Sequence, residues 1–193
     1  MPFSIAEDIK SASTLPSAFY TESDLYEASK DKVFARSWQW VGDESLAKVP
    51  GQMSPVTLLE GCLDEPIVFT RDMSDQVHCL SNVCTHRGNI VCEGGTNARF
   101  LRCRYHGKRF GLDGKFQQMP EFEQACGFPS EADNLPRVPF ASWSQLWFAG
   151  VNPRCPLDEW LKPMIERVGW MPLDQFTYDP SQRRVYMVRA HFA

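Results

Sequence analysis

Two short arms of this chain each carry one cysteine and one histidine: Cys84-Thr85-His86, then sixteen residues from Arg87 to Arg102, then Cys103-Arg104-Tyr105-His106. Thiolate and neutral imidazole are ligands for soft and borderline metal ions, so four such groups in two matched pairs form a candidate metal site. A structural Cys2His2 zinc site usually takes its cysteines from one arm and its histidines from the other. Here every arm is mixed. The chain has only four histidines, two of them in this window, so four unrelated buried residues are the weaker explanation. The mixed set suits a cluster in which two thiolates hold one iron and two imidazoles the other, with inorganic sulfide between them. The thiolates then keep an inner iron, and the imidazoles bring an outer one toward the surface, where an electron can enter or leave.

The surroundings agree with a cluster pocket. Gly88, Gly94, Gly95, Gly107 and Gly111 gather around the arms, as expected where backbone approaches a cluster and offers N–H groups to its sulfurs. Gly94-Gly95 could instead belong to a phosphate loop, but no Lys-Ser/Thr follows them. The formal charge of the chain is -4, yet residues 84–116 hold Arg87, Arg99, Arg102, Arg104, Lys108, Arg109 and Lys115 against Glu93 and Asp113. Such a basic collar either steers an acidic electron carrier or simply faces solvent beside the centre. No basic, aromatic-interleaved face extends beyond that window, so nucleic acid is not the expected partner.

Seven cysteines (Cys62, Cys79, Cys84, Cys92, Cys103, Cys126 and Cys155) make an odd count, which argues for a reducing compartment. Cys92, between the arms, is either a further ligand, a redox switch or a small buried hydrophobe. Residues 1–10 carry Glu7 and Asp8 and no apolar core of a signal peptide, and no run approaches the ~20 apolar residues of a membrane span. The expected location is the cytoplasm, away from the membrane.

The remaining chain must position the arms, and 43% hydrophobic content is enough for a globular core. Residues 1–20 are expected as coil. Thr21 with Asp24 resembles a capping box, and Tyr26, Val33, Phe34 and Trp38 fall near one helical face, predicting a helix from about Glu22 to Ser37. Trp38 to Gly42 changes to alternation. Short strands follow: Met53 to Leu59, Pro66 to Arg71, Val77 to Ser81, Arg99 to Cys103, Arg109 to Leu112, Lys115 to Gln118 and Leu146 to Val151. Asp113-Gly114 marks a two-residue hairpin turn. The fold class is therefore mainly β, an antiparallel sandwich or barrel with flanking helices, the two arms being loops at one end. Beyond Pro153, Leu157, Trp160, Leu161, Met164, Ile165 and Val168 recur at helical spacing, with Pro163 predicting a kink or two short helices. Arg184 to Arg189 is β-prone.

Cys-x-His followed by Cys-x-x-His-Gly resembles the Rieske family signature. That resemblance implies a Rieske-type [2Fe-2S] cluster on Cys84, His86, Cys103 and His106, and a Rieske-type β fold with a two-loop cluster-binding subdomain. High-potential Rieske proteins carry an extra cysteine on each arm; Asn89 and Tyr105 stand in those places here. They also aim a Ser and a Tyr hydroxyl at the cluster from positions that resemble Lys108 and Phe110. The expected potential is accordingly low. The runs Val33 to Gly42, Pro50-Gly51, Pro66 to Phe69 and Cys103 to Lys115 resemble the N-terminal part of ring-hydroxylating oxygenase α subunits, with Arg104 and Lys108 departing from the usual Pro and Trp.

The resemblance implies three parts: coil and helix over 1–37, the Rieske domain over 38–152, and over 153–193 a helix and strand like the start of a catalytic domain. In that family the catalytic domain holds mononuclear iron on two His and one carboxylate. Only His78 and His191 remain here and no such string exists, so the expected role is the electron-transfer half of an oxidoreductase. Its partners would be a reductase or ferredoxin donor and a separate catalytic iron chain. The alternatives are a standalone Rieske electron carrier and a zinc-stabilised binding module.

Overall fold

A computed structural model describes residues 4–122, 124–177 and 179–189. Among the described residues, ten strands form three antiparallel sheets: β1 (Gln39–Asp43), β2 (Gln52–Leu58), β3 (Glu65–Arg71), β4 (Val77–Ser81), β5 (Thr96–Asn97), β6 (Leu101–Arg102), β7 (Arg109–Phe110), β8 (Phe116–Gln118), β9 (Phe140–Trp143) and β10 (Leu146–Ala149). The sheet orders are β1-β10-β9, β4-β3-β2-β5 and β6-β7-β8. The mainly β, antiparallel expectation holds.

The layering follows from side-chain parity. Successive residues of a strand point to opposite faces. In β3, Ile67 and Phe69 join Trp147 and Ala149 of β10 in one core, while Val68 joins Leu101, Phe110, Cys84 and Cys103 in another. β4 divides the same way, Cys79 to the first core and Leu80 to the second. The central sheet is therefore buried on both faces, between the β1-β10-β9 sheet and the small β6-β7-β8 sheet; the first arm leaves the central sheet between β4 and β5, and the second joins β6 to β7. Thr70, fully buried, donates its hydroxyl to the Leu112 carbonyl at 2.5 Å and so ties β3 to the β7–β8 turn. The opposite face of β10 presents Phe148 to Leu157 and Leu161 of a helix, α3 (Leu157–Val168).

The helical expectations need correction. Two short helices, α1 (Ser17–Thr21) and α2 (Ser23–Ser29), precede a wider π-type turn over Lys30–Phe34, closed by Ala35 N–H to the Lys30 carbonyl at 2.7 Å. The extra residue in that turn rotates the face, and Val33 ends exposed rather than packed. Thr21 does not cap α2: its hydroxyl donates to the Ser17 carbonyl of α1 at 3.1 Å. At the other end, α3 is one continuous helix despite Pro163. Proline removes only the bond to the Glu159 carbonyl, and both residues are exposed, where water meets that carbonyl. Leu157, Leu161 and Ile165 form its packed stripe, whereas Trp160 and Met164 face solvent.

Residues 183–189 form no strand. Val185 to Val188 are 68–95% exposed, and without a neighbouring ladder β propensity does not order a segment. The β7–β8 turn is longer than expected: Gly111 N–H reaches the Lys115 carbonyl at 2.7 Å, leaving three residues, Leu112, Asp113 and Gly114, in the loop, with Gly114 at φ +84°. A Cβ there would lie 2.9 Å from Leu80, a second reason for glycine.

Candidate metal centre

The two arms are one loop built twice. In the first, the Cys84 N–H donates to the Asn89 carbonyl at 2.8 Å and the Gly88 N–H to the Cys84 carbonyl at 3.0 Å. In the second, the Cys103 N–H donates to the Lys108 carbonyl at 2.9 Å and the Gly107 N–H to the Cys103 carbonyl at 3.0 Å. Each loop turns on a left-handed glycine, φ +69° at Gly88 and +78° at Gly107. A bridge between Val83 and Ile90 closes the first, and the β6–β7 pairing of Arg102 with Arg109 closes the second. Within these equal frames the histidine is second in one loop and third in the other.

The frames set burial. Cys84 and Cys103, at the loop bases, are 3% and 2% exposed in the core shared with Leu101 and Phe110. His86 and His106 sit near the tips, half-buried and exposed respectively, with ring centroids 4.8 Å apart and planes at 75°. Tyr105 lies against His106 at 3.8 Å, and Phe122 meets His86 edge-on at 5.8 Å. The structure thus brings the two cysteines into one buried core cluster and the two imidazoles against each other nearer the loop tips.

Burial pushes the Cys84 thiol up; the His86 backbone N–H opposes this, and Cys103 adds to it. Burial also lowers the His86 imidazole, reinforced by His106, Arg87 and Lys108, and so favours the neutral form that ligates metal. Among the described residues no three His, Cys, Asp or Glu side chains converge for a single ion. A two-iron cluster asks instead for two protein donors on each iron, the pairing found here. The donor set fits that group.

Other candidates lie apart. His78 is structural: Nε2 stands 2.7 Å from an Asp72 carboxylate oxygen, and Nδ1 3.3 Å from an Arg137 amino group. Burial raises the Asp72 carboxyl, but the His78 bond and the N–H groups of Gln76 and Ser74 outweigh it and hold the group low. His191 lies outside the described residues. Cys92 is buried, its N–H bound to the Asn82 side chain at 2.8 Å and its thiol directed at the Gly94 carbonyl at 3.3 Å. Burial pushes the Cys79 thiol up to about 12, making it a packing group. All seven cysteines are free.

Lys108 does not belong to a solvent-facing collar. It is 2% exposed, with Nζ 2.8 Å from an Asp133 carboxylate oxygen and 2.9 Å from the Thr85 hydroxyl, over the rings of Phe110, Phe116 and Phe128 at 5.4–5.8 Å. Burial tends to raise the Asp133 carboxyl; the bonds from Lys108 and the Ser130 N–H overcome this and hold it below the usual range. Sequence reasoning missed this network. Its signals were the aromatic flanks of Lys108 and the Ser-x-x-Asp spacing of Ser130 and Asp133, where the Ser130 N–H donates to Asp133 at 2.8 Å. Arg109 is half-buried, stacked on Phe100 at 3.8 Å, so Arg87, Arg99, Arg102, Arg104 and Lys115 are the exposed cations of the window.

The Rieske [2Fe-2S] domain family matches residues 37–139, more than half of the chain. Choline monooxygenase from Amaranthus tricolor is 36% identical over 119 residues, which are 61% of this chain and 26% of that protein. The carnitine monooxygenase oxygenase subunit of Escherichia coli K12 is 29% identical over 79% of this chain and 40% of its own length. The crystal structure of the apo form of the quaternary ammonium Rieske monooxygenase CntA superposes with a TM-score of 0.72 at 26% identity, covering 81% of this chain and 45% of that one. The chain spans less than half the length of these relatives. Chlorobenzene dioxygenase subunit alpha from Cupriavidus sp., 30% identical over 66% of the chain, extends the likeness from monooxygenases to dioxygenases. The relatives are oxidoreductases, and a Rieske-type [2Fe-2S] cluster is the cofactor that goes with the matched domain. With family and fold converging on the two arms, this chain belongs to the Rieske [2Fe-2S] domain family.

Proposed function

We propose that Cys84 and Cys103 hold the inner iron of a [2Fe-2S] cluster and His86 and His106 the outer iron, and that the chain is the electron-transfer part of a Rieske oxygenase. The observation that carries this is the arrangement of two buried thiols beneath two surface imidazoles on paired loops. When bound, the cluster supplies one-electron redox chemistry. The chain's own contribution is to exclude water from the thiolates with Leu101 and Phe110 and to leave the His106 edge accessible to a partner. Arg87 follows His86 directly, and Arg102 and Arg104 flank Cys103; all three are exposed and suit an acidic ferredoxin or reductase as donor.

Among the four histidines, two serve the cluster and His78 is committed to Asp72 and Arg137. We therefore assign the mononuclear iron that would accept the electron to residues other than these 193, either of a longer chain or of a neighbouring subunit. Seven free cysteines suit a reducing compartment, and we place the protein in the cytoplasm. No described helix is long and apolar enough to cross a membrane.

The test is metal and sulfide analysis of anaerobically purified protein. Two irons and two acid-labile sulfides per chain are expected, falling to none in Cys84→Ser and Cys103→Ser. One zinc without sulfide would overturn the assignment.

A further inference from the structure

We propose that Lys108 is a positioning residue that couples the two cluster arms, setting the approach of the His86 loop to the His106 loop through a buried ion pair with Asp133. It rests on the metal-centre reading for the identity of the group being aligned.

Lys108 is the closing residue of the second loop, since its carbonyl accepts the Cys103 N–H at 2.9 Å. Its side chain leaves that loop and reaches Thr85, the residue between Cys84 and His86, at 2.9 Å. The same ammonium pairs with Asp133 at 2.8 Å, and the Thr85 hydroxyl donates to the Asp133 backbone carbonyl at 2.9 Å. Asp133 is held from the other side, its second carboxylate oxygen accepting from the Ser130 N–H at 2.8 Å and the Ser130 hydroxyl at 3.2 Å. Three chain segments thus meet at one ammonium group.

The backbone bonds of each arm close only that arm. Among the described side-chain bonds, one other crosses between the loops, Asn89 Nδ2 toward the Cys103 sulfur at 3.8 Å, a long contact even for sulfur. The Lys108 crossing is short and charge-assisted, and a buried ammonium cannot relinquish its partners without a desolvation penalty. Phe110, Phe116 and Phe128 wall the group in and deny it water as a substitute. A lysine that served only its own hairpin would have no reason to bond a residue of the other.

The experiment compares Lys108→Met, Thr85→Val and a control, Leu58→Ala, which weakens the core on the far side of β3. In metal-free protein, hydrogen exchange is followed at the Cys84 and Gly88 amides. Lys108→Met is expected to accelerate exchange at both, in the arm it does not belong to, by about tenfold or more, the factor equivalent to one lost hydrogen bond to a charged group. Thr85→Val is expected to do the same to Gly107, in the opposite arm. In iron-loaded protein both variants should shift the reduction potential and the visible spectrum, while Leu58→Ala lowers melting temperature and leaves both unchanged. Wild-type exchange rates in the opposite arm of Lys108→Met would overturn the coupling; should that variant not fold, wild-type rates and potential in Thr85→Val would do so. A wild-type chain that binds no iron would sink the metal-centre reading while the exchange results still decided the coupling.

Discussion

Gly88 and Gly107 occupy the same place in two separate loops: each lies four residues after a buried cysteine, has a left-handed backbone, and donates its N–H to that cysteine's carbonyl at 3.0 Å. A side chain at positive φ costs about 1–2 kcal/mol. Gly88→Ala meets no atom within 4 Å and should show that cost alone, whereas in Gly107→Ala the new Cβ would lie 3.3 Å from Pro120. Calorimetry of the metal-free protein should rank melting temperatures as wild type, then Gly88→Ala lower by roughly 2–8 °C, then Gly107→Ala lower still. Equal melting in all three would contradict the shared-loop account.

Acid should release the Asp133 tie. Its carboxyl is held below the ordinary value of 3.8, so its contribution is complete above that value and is lost as pH falls through the lower folded-state pKa. Asp133→Asn leaves the Lys108 ammonium buried without its partner, a deficit of about 3 kcal/mol at pH 7. Urea unfolding across pH should show the wild-type advantage shrinking below about pH 4. An advantage constant down to pH 2 would refute the linkage.

The potential should lie nearer about -150 mV than +300 mV. Donors to sulfur stabilise the reduced cluster, and Phe110, standing where a hydroxyl would be aimed, is instead fully buried in the core. The Asn89 amide approaches Cys103 only at 3.8 Å. Protein-film voltammetry giving a value well above zero would show that other groups set the potential.

Alkylation should discriminate among the thiols. With Cys79 pushed up to about 12, only about one molecule in ten thousand carries that thiolate at pH 8, and the side chain is buried. Cys126 is exposed. Brief iodoacetamide treatment of native protein, read by peptide mass spectrometry, should label Cys126 and spare Cys79; modification at Cys79 before unfolding would be the contrary result.

The paired Cys and His residues stood out because soft-metal chemistry restricts residue type, and Val77 to Ser81 was legible because turn residues punctuate it. The equivalence of the arms was hidden. Cys-x-His and Cys-x-x-His look unequal, and only the backbone bonds to Asn89 and Lys108 show that both loops have the same length. The charge of Lys108 argued for solvent, and its burial depends on Asp133, twenty-five residues away. The β9–β10 hairpin escaped notice since Ser144-Gln145, with Ser144 at φ +53°, replaces the glycine such turns usually announce. Val185 to Val188 showed the reverse failing: local β preference with no neighbour to satisfy it.

β3 serves two cores at once, with Ile67, Val68, Phe69 and Thr70 all without exposed surface. Moving that strand by a single residue would exchange both sets of side chains together, so the segment has little evolutionary latitude. Divergence between this chain and any cousin should therefore accumulate at the exposed loop rims, and spare the ribbon behind them.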